Sequence, residues 1–547
     1  MSQGDSPVVR VTRALAENGF VFRERNDYWL TFSGSLTVEG ATHAISLTVH
    51  AEGRELPVVV LEQVPEKLQP VAPHLGNTGR LCYAAAGSIV LDVFDIAGQT
   101  LSCVRRASEV LSSLLRGEMM ADLEEEFFAY WGDDICFLDL SNSSNDVVEC
   151  LVIERGDTGN LLLAVTNDKS RTLERLNAIG MQSRKNVCLA VRRIKTHTKP
   201  RPLLGKWPPR TVSDVLNWQG VLDSQSRRKL DAHITEAYKA GAPGVVCLVE
   251  SPNMPYAFIV RFATPTKEPG KRHALNARET VYKASVSPMA CYRIDDEYIA
   301  KRNSPTMATL AKRKIALIGC GTIGGFLGEL LLKAGAGSDG GKLALVDNDI
   351  LLPQNVGRHR LGFNSVLKNK ALALGEELRR NAPGAIVEGF PVDAMQADLH
   401  AYDIVVNATG EEAIGHLLTA KLKGECFIPM LTVWVEGPGT AVRALLRDKP
   451  IAACTRCLGS LARQPLYPTV EGGVPVLLAG QGCESLYVPF PATASVQAAC
   501  LAADMLVEWA GGTTTPRLQT RVLDAHYRKG ADDQDPQTQP GCPACGS

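Results

Sequence analysis

The sequence predicts an α/β protein with three successive parts, and three observations carry that prediction. The chain has 547 residues, 45% of them apolar, enough for three or four cored domains at about 150 residues each. From residue 306 onward short β-prone runs alternate with helical patterns, which predicts βαβ units and a parallel sheet. Before residue 145 the strand-like runs instead follow one another between helices, which is an α+β order.

Taken in order, Val8 to Gly19 has helical spacing. The β-prone runs Trp29–Phe32, Ala44–Val49 and Leu56–Leu61 follow as an antiparallel meander. A turn-rich stretch, 63–77, precedes helical patterns at 107–115 and 121–130. Residues 146–305 form an α/β middle part: apolar runs at 150–153, 161–165, 187–191 and 245–249 mix with a helical pattern at 224–240. In the last part, 306–547, strands are expected at Ile315–Ile318, Leu343–Val346 and Asp403–Asn407. Helices are expected at 324–332, 368–380 and 494–509.

Charge and composition narrow the function. Lys plus Arg number 58 against 59 Asp plus Glu, so no global field draws the chain to nucleic acid or an anionic membrane, and neither partner is expected. The basic group Arg184, Lys185, Arg192, Arg193, Lys195, Lys199 and Arg201 reads as a solvated face. The first residues lack a basic and apolar leader. The most apolar stretch, 315–337, is interrupted by Glu329 and Lys333, so it is not a membrane span. Fifteen cysteines without an export signal point to reduced thiols used for metal or catalysis, and to a cytoplasmic protein.

Gly319-Cys320-Gly321-Thr322-Ile323-Gly324 sits between a strand and a helix. Its glycines let the backbone approach phosphate, and the helix N-terminus offers oriented N–H groups. With Asp347 ending the next strand, this alone would suggest NAD or FAD. Asp349, Asn355, Arg358 and Lys370 follow, however, and two cations with a second acid suit a triphosphate and a metal ion. This combination resembles the ubiquitin-activating enzymes and their bacterial ThiF and MoeB relatives, over roughly residues 298–547, with a Rossmann-like adenylation domain. The resemblance implies ATP and Mg2+ as cofactors. Asp347 would hold the ribose, and Asp349, Asn355, Arg358 and Lys370 would surround the phosphates. Tyr298 and Arg302 would reach them, often across a dimer. Where the family carries a magnesium-binding Asp, this chain has Asn407-Ala408-Thr409-Gly410-Glu411, with Glu411 the available acid.

The cysteines divide by role. Cys454 with Cys457 and Cys542 with Cys545 form two C-x-x-C pairs, a spacing suited to a closed tetrahedral Zn2+ site. Such a site would pin a terminus that otherwise frays. Cys483, on a loop before the last helical pattern, lies where ubiquitin-activating enzymes carry their thioester-forming cysteine. Cys500 falls in a helical pattern and reads as core, and Cys320 has no catalytic role. Cys82 follows His74-Leu75-Gly76-Asn77 in a segment resembling a ubiquitin-conjugating domain: helix, meander, Pro65, Pro70 and Pro73, a His, then a Cys. Asn77 stands one place later than in that family's His-Pro-Asn motif.

A conjugating-like domain (1–145), a middle domain (146–305) and an activating domain (306–547) together resemble the activating–conjugating fusions of bacterial CBASS anti-phage operons. The resemblance implies a homodimer whose middle domain is an inactive adenylation-like unit. It implies adenylation of the C-terminus of a protein modifier, either ubiquitin-like or a cGAS-like nucleotidyltransferase. Capture at Cys483, transfer to Cys82 and conjugation to an amine of a target protein would follow. Two other readings stay open at this level: a ThiF/MoeB-type sulfur-carrier adenylyltransferase, and a non-catalytic nucleotide-binding scaffold.

Overall fold

A computed structural model describes residues 7–85, 87–132, 134–141, 147–155, 161–203, 207–262, 277–424, 426–459, 464–480, 486–513 and 515–546. The chain divides into two compact units, Met1–Cys136 with Cys188–Cys291, and Phe137–Val187 with Tyr292–Ser547. Among the described residues, no helix is long and apolar enough to cross a membrane.

In the first unit, helix α1 (Pro7–Glu17) precedes strands β1 (Val21–Arg25), β2 (Trp29–Val38), β3 (Ala41–His50) and β4 (Val58–Leu61). They pair in that order, each antiparallel to the next. Period-two alternation puts Leu30, Phe32, Ile45, Leu47 and Val59 on one buried face. Val11 and Leu15 of α1, with Ala107, Leu111 and Leu114 of α2 (Ile96–Arg116), join them in one core. Asp95 caps α2 by accepting from the Gly98 N–H at 2.9 Å, and Gly117, at φ +74°, ends it. The short helix α3 (Phe127–Trp131) is anchored by aromatic packing of Phe127 and Trp131 on Trp218 and Tyr256. The indole N–H groups of Trp131 and Trp207 donate to the Ala257 and Tyr130 carbonyls, at 2.7 and 2.8 Å. Fully burying such rings contributes about 2–3 kcal/mol each. This anchoring matters because α3 delivers Tyr130, and the residue before it, Glu126, to the site described below.

The basic group of the middle segment is mostly paired. Arg184 meets Glu154, Arg193 meets Glu250, Lys199 meets Glu125 and Arg201 meets Glu124. Within each unit these charges are balanced by neighbouring carboxylates.

The second unit is built on a seven-stranded sheet. Its strands are β5 (Lys314–Ile318), β6 (Lys342–Val346), β7 (Val387–Phe390), β8 (Ile404–Asn407), β9 (Met430–Glu436), β10 (Ala441–Arg447) and β11 (Leu518–Val522). Their spatial order is β7-β6-β5-β8-β9-β10-β11. The first five run parallel, and β10 and β11 turn antiparallel. The sheet is therefore mixed rather than wholly parallel, a mixture common when an α/β sheet carries edge hairpins. Helices α4 (Thr322–Lys333), α5 (Lys370–Asn381), α6 (Glu412–Lys421) and α7 (Ala492–Ala510) accompany it. Leu317, Leu345, Val406, Leu327, Leu374 and Leu501 are fully buried in its main core. From β5 the chain moves outward to β6 and β7, then returns to place β8 on the other side of β5. That reversal opens a crevice at the carboxyl ends of the strands, where such sheets take ligands.

Candidate functional sites: a phosphate-loop cleft, a cysteine cleft and a four-thiol cluster

The crevice is a cleft of about 480 Å3 lined by Gly319, Gly321, Asp347, Asp349, Asn355, Arg358, Lys370 and Glu411. The sequence singled out all eight, and the fold brings them together. Gly319 has φ +88°, and a Cβ there would lie 2.8 Å from the Thr409 backbone nitrogen. A Cβ on Gly324 would lie 1.8 Å from the Gly319 carbonyl oxygen, whereas one on Gly321 would meet nothing within 4 Å. Gly319 and Gly324 thus serve the tight turn, and Gly321 leaves open space beside the start of α4. Gly324 supports the loop without lining the cleft.

Asp347 accepts from the backbone N–H groups of Cys320 at 2.7 Å and Asp349 at 2.8 Å. Burial nonetheless holds its carboxyl above the usual range. Lys370 pairs with Asp349 at 2.8 Å. Asn355 turns its side chain inward and accepts from the Leu352 N–H at 3.0 Å. Glu411 precedes α6, its N–H donating to Thr409 Oγ1 at 3.2 Å. Arg302 is exposed, donates to Asn303 Oδ1 at 3.3 Å and does not line the cleft; the Tyr298 ring packs under Arg293. Burial pushes the Cys320 thiol far above its ordinary pKa, so it is inert.

Several lining or supporting residues were not singled out from sequence. Asp393, Ile414, Val488 and Phe490 line the cleft. His359 also lines it, its buried ring donating from Nε2 to the Cys320 carbonyl at 2.9 Å and accepting at Nδ1 from the Leu361 N–H at 3.0 Å. That arrangement requires the neutral ring, and burial lowers its pKa. The Asn355-Val356-Gly357-Arg358 motif placed His359 beside the site but carried no signal of its structural role.

In the first unit Cys82 is exposed and lies in a second cleft, of about 810 Å3, together with His74, Asn77, Glu126 and Tyr130. The loop is a hairpin: Cys82 N–H donates to the His74 carbonyl at 2.8 Å, and Gly76 N–H to Arg80 O at 2.8 Å. His74, at φ +57°, is clamped. Its ring meets Asp122 at 3.0 Å and Glu126 at 2.9 Å, and its N–H donates to Glu126 at 2.8 Å. Tyr130 donates to Glu126 at 3.0 Å, and burial raises its pKa. Asp122, Glu126 and Tyr130 come from about fifty residues downstream, so only the fold could reveal this clamp. The other candidate thiol, Cys483, falls in 481–485, outside the described residues.

Cys454, Cys457, Cys542 and Cys545 converge, all buried, with their sulfurs within 4.8 Å of one another. Three Sγ–Sγ separations are 3.8, 3.8 and 3.6 Å. A tetrahedron of thiolates around zinc at about 2.3 Å has edges of about 3.8 Å, so the donor set fits that ion. Cys457 accepts hydrogen bonds from Cys454 and from the Gln539 N–H, which lower its pKa and favour thiolate. Cys500, expected in the core, is half-buried on α7.

A nucleotide-type crevice on a Rossmann-type sheet and an exposed cysteine on a helix-and-meander domain define a ubiquitin-activating and -conjugating-like enzyme. Residues 297–544 match the ThiF family and residues 11–135 match prokaryotic E2 family B. The chain is 44% identical over 543 residues to the ATP-dependent ubiquitin transferase-like protein Cap2 of Pseudomonas aeruginosa, covering 99% of each chain. It is 26% identical over 540 residues to the protein of that name from Escherichia coli, covering 90% of this chain and 89% of the relative. It therefore belongs to the family of ATP-dependent ubiquitin transferase-like proteins. Among solved structures, E. coli MccB with ATP is 17% identical, with a TM-score of 0.32 over 44% of this chain and 68% of that one.

Proposed function

We propose that the chain uses ATP to activate the C-terminal carboxylate of a protein modifier and conjugates it to an amine. Residues 306–547 adenylate, residues 1–145 conjugate and residues 146–305 serve dimerisation. The observation that supports this best is the meeting of Gly319, Gly321, Asp347, Asp349, Asn355, Arg358 and Lys370 in one cleft, on a chain that also exposes Cys82 in another.

The carboxylate is a poor electrophile at neutral pH. Its oxygen attacks the α-phosphorus of ATP, forming an acyl adenylate and releasing pyrophosphate. The backbone at Gly319, Gly321 and the start of α4 receives the phosphates, and Asp347 receives the ribose. Arg358 and Lys370 offset the charge that develops, with Arg302 contributing from a dimer partner. Mg2+ bound to ATP would supply further charge neutralisation, with Asp349 and Glu411 the acids placed to hold it. The Cys483 thiolate then attacks the acyl carbon and expels AMP, and the Cys82 thiolate takes the acyl group by exchange, freeing Cys483. An amine of the target finally attacks the Cys82 thioester, losing a proton and releasing the thiolate. Zinc at the four-thiol cluster would be structural, since four thiolates leave no open position. The modifier is ubiquitin-like or a cGAS-like nucleotidyltransferase, as in CBASS anti-phage operons.

The test is modifier-dependent ATP–pyrophosphate exchange. Arg358→Ala and Lys370→Ala should each lower it about a hundredfold, the loss typical of a deleted charge-stabilising donor. Exchange at wild-type rates in both variants removes the ATP-site assignment. Exchange without any thiol-linked adduct would favour sulfur-carrier adenylation instead.

A further inference from the structure

The two cations of the phosphate-loop cleft are held in different ways. Lys370 is neutralised by Asp349 at 2.8 Å. Arg358 has no carboxylate partner among the described residues. Its guanidinium carbon instead lies 4.6 Å from the centre of the Phe490 ring and 5.7 Å from that of Tyr487. Its Nε is buried without a hydrogen-bond partner. A buried guanidinium N–H left unpaired is costly, and an aromatic face is a partner that attracts the cation without cancelling its charge.

Both rings come from one short segment, 487–490, that contributes to the cleft wall. Tyr487 exchanges two backbone hydrogen bonds with Ala479, each 2.9 Å, which fixes the segment's start. Val488 and Phe490 line the cleft beside Arg358. Phe490 is backed by Gly439, where an added Cβ would lie 3.6 Å from the Phe490 Cβ. Pro491 then begins α7 as its cap. The segment is thus tied at both ends and cannot swing away without breaking the Ala479 pair or unseating α7.

We infer that Phe490, assisted by Tyr487, is a positioning residue that holds Arg358 toward the nucleotide's phosphates while leaving its positive charge uncompensated. This rests on the ATP-site reading above. A carboxylate in the same place would hold the side chain equally well but would spend its charge. The same segment ends the connection that carries Cys483, so the residue that orients Arg358 sits seven positions from that thiol in sequence.

The test compares binding of a non-hydrolysable ATP analogue with binding of adenosine, which has no phosphates, to the full chain with Mg2+. Phe490→Leu keeps an apolar side chain but removes the π face. It should weaken the analogue about tenfold and leave adenosine unchanged. Phe490→Tyr, which keeps the ring, should recover most of the loss. In the double variant with Arg358→Ala, the Phe490→Leu effect should vanish, because nothing remains to be positioned. Analogue affinity unchanged in Phe490→Leu overturns the inference, as does equal loss of adenosine, which would mean a collapsed cleft. Full additivity of the two substitutions overturns it as well. If Arg358→Ala itself leaves analogue binding intact, the ATP-site reading fails rather than the ring's role alone.

Discussion

Two glycines of one motif should fail in opposite ways. At Gly324 an added Cβ would stand 1.8 Å from the Gly319 carbonyl oxygen. The loop cannot retreat, because Gly319 is itself against the Thr409 backbone and donates to the Val346 carbonyl at 2.9 Å. Overpacking costs about 1–3 kcal/mol, and a clash with fixed backbone takes the upper end. Alanine's better helix propensity returns about 1 kcal/mol. Gly324→Ala should therefore lose about 2 kcal/mol, a fall of about 3 °C in the thermal midpoint of a unit of about 300 residues. At Gly321 a Cβ meets nothing within 4 Å. Gly321→Ala should stay within about 0.5 kcal/mol of the parent, yet bind an ATP analogue about tenfold more weakly by obstructing the phosphates' approach. Differential scanning calorimetry and analogue titration read the two effects separately. A Gly324→Ala chain as stable as the parent would refute the packing argument. Gly321→Ala binding as well as the parent would refute the phosphate route.

Acid should loosen the phosphate loop through His359. Burial lowers its pKa, so the folded state takes up its proton less readily than the unfolded chain. The stability it supports is complete above the ordinary histidine value and is lost as pH falls through the lowered one. A protonated ring would also turn a second N–H against the Leu361 N–H. As pH falls below about 6.5 the parent's thermal midpoint should fall more steeply than that of His359→Gln, and parallel slopes would contradict this. Cys454→Ser or Cys545→Ser should lose about one bound zinc per chain by metal analysis, together with stability; a metal-free parent with full activity would remove the site. Cys483→Ala should still exchange pyrophosphate while accumulating no thioester, and a normal Cys82 adduct in that variant would mean direct transfer from the adenylate.

Local signals made the second unit easy to read. Ile315–Ile318, Leu343–Val346 and Asp403–Asn407 are short apolar runs bounded by glycine or polar residues, and each became a strand within one residue of expectation. The antiparallel strands β10 and β11 were not anticipated, because Arg443, Arg447 and Arg521 break the apolar pattern. Arg443 and Arg447 are nevertheless buried, their heads bonded to Thr469, Thr520 and backbone carbonyls. In the first unit β1 reads Val-Phe-Arg-Glu-Arg and is exposed throughout, so it offered no buried face to detect. Residues close in sequence made the phosphate-loop cleft legible. The carboxylates around His74, the rings over Arg358 and the distribution of the middle segment between two units depend on long-range contacts that no local pattern encodes.

A carboxylate activated in the adenylation unit should reach Cys82 as a thioester. The most direct test of this transfer is mass spectrometry of the peptide containing Cys82. The full chain should be co-expressed with the genes that adjoin its own, quenched in acid and kept free of reductant. An ATP-dependent mass equal to the C-terminal peptide of a second protein should appear on Cys82, be lost with a small thiol and be absent from Lys370→Ala. A Cys82 that stays unmodified while conjugates to amines accumulate would contradict this transfer.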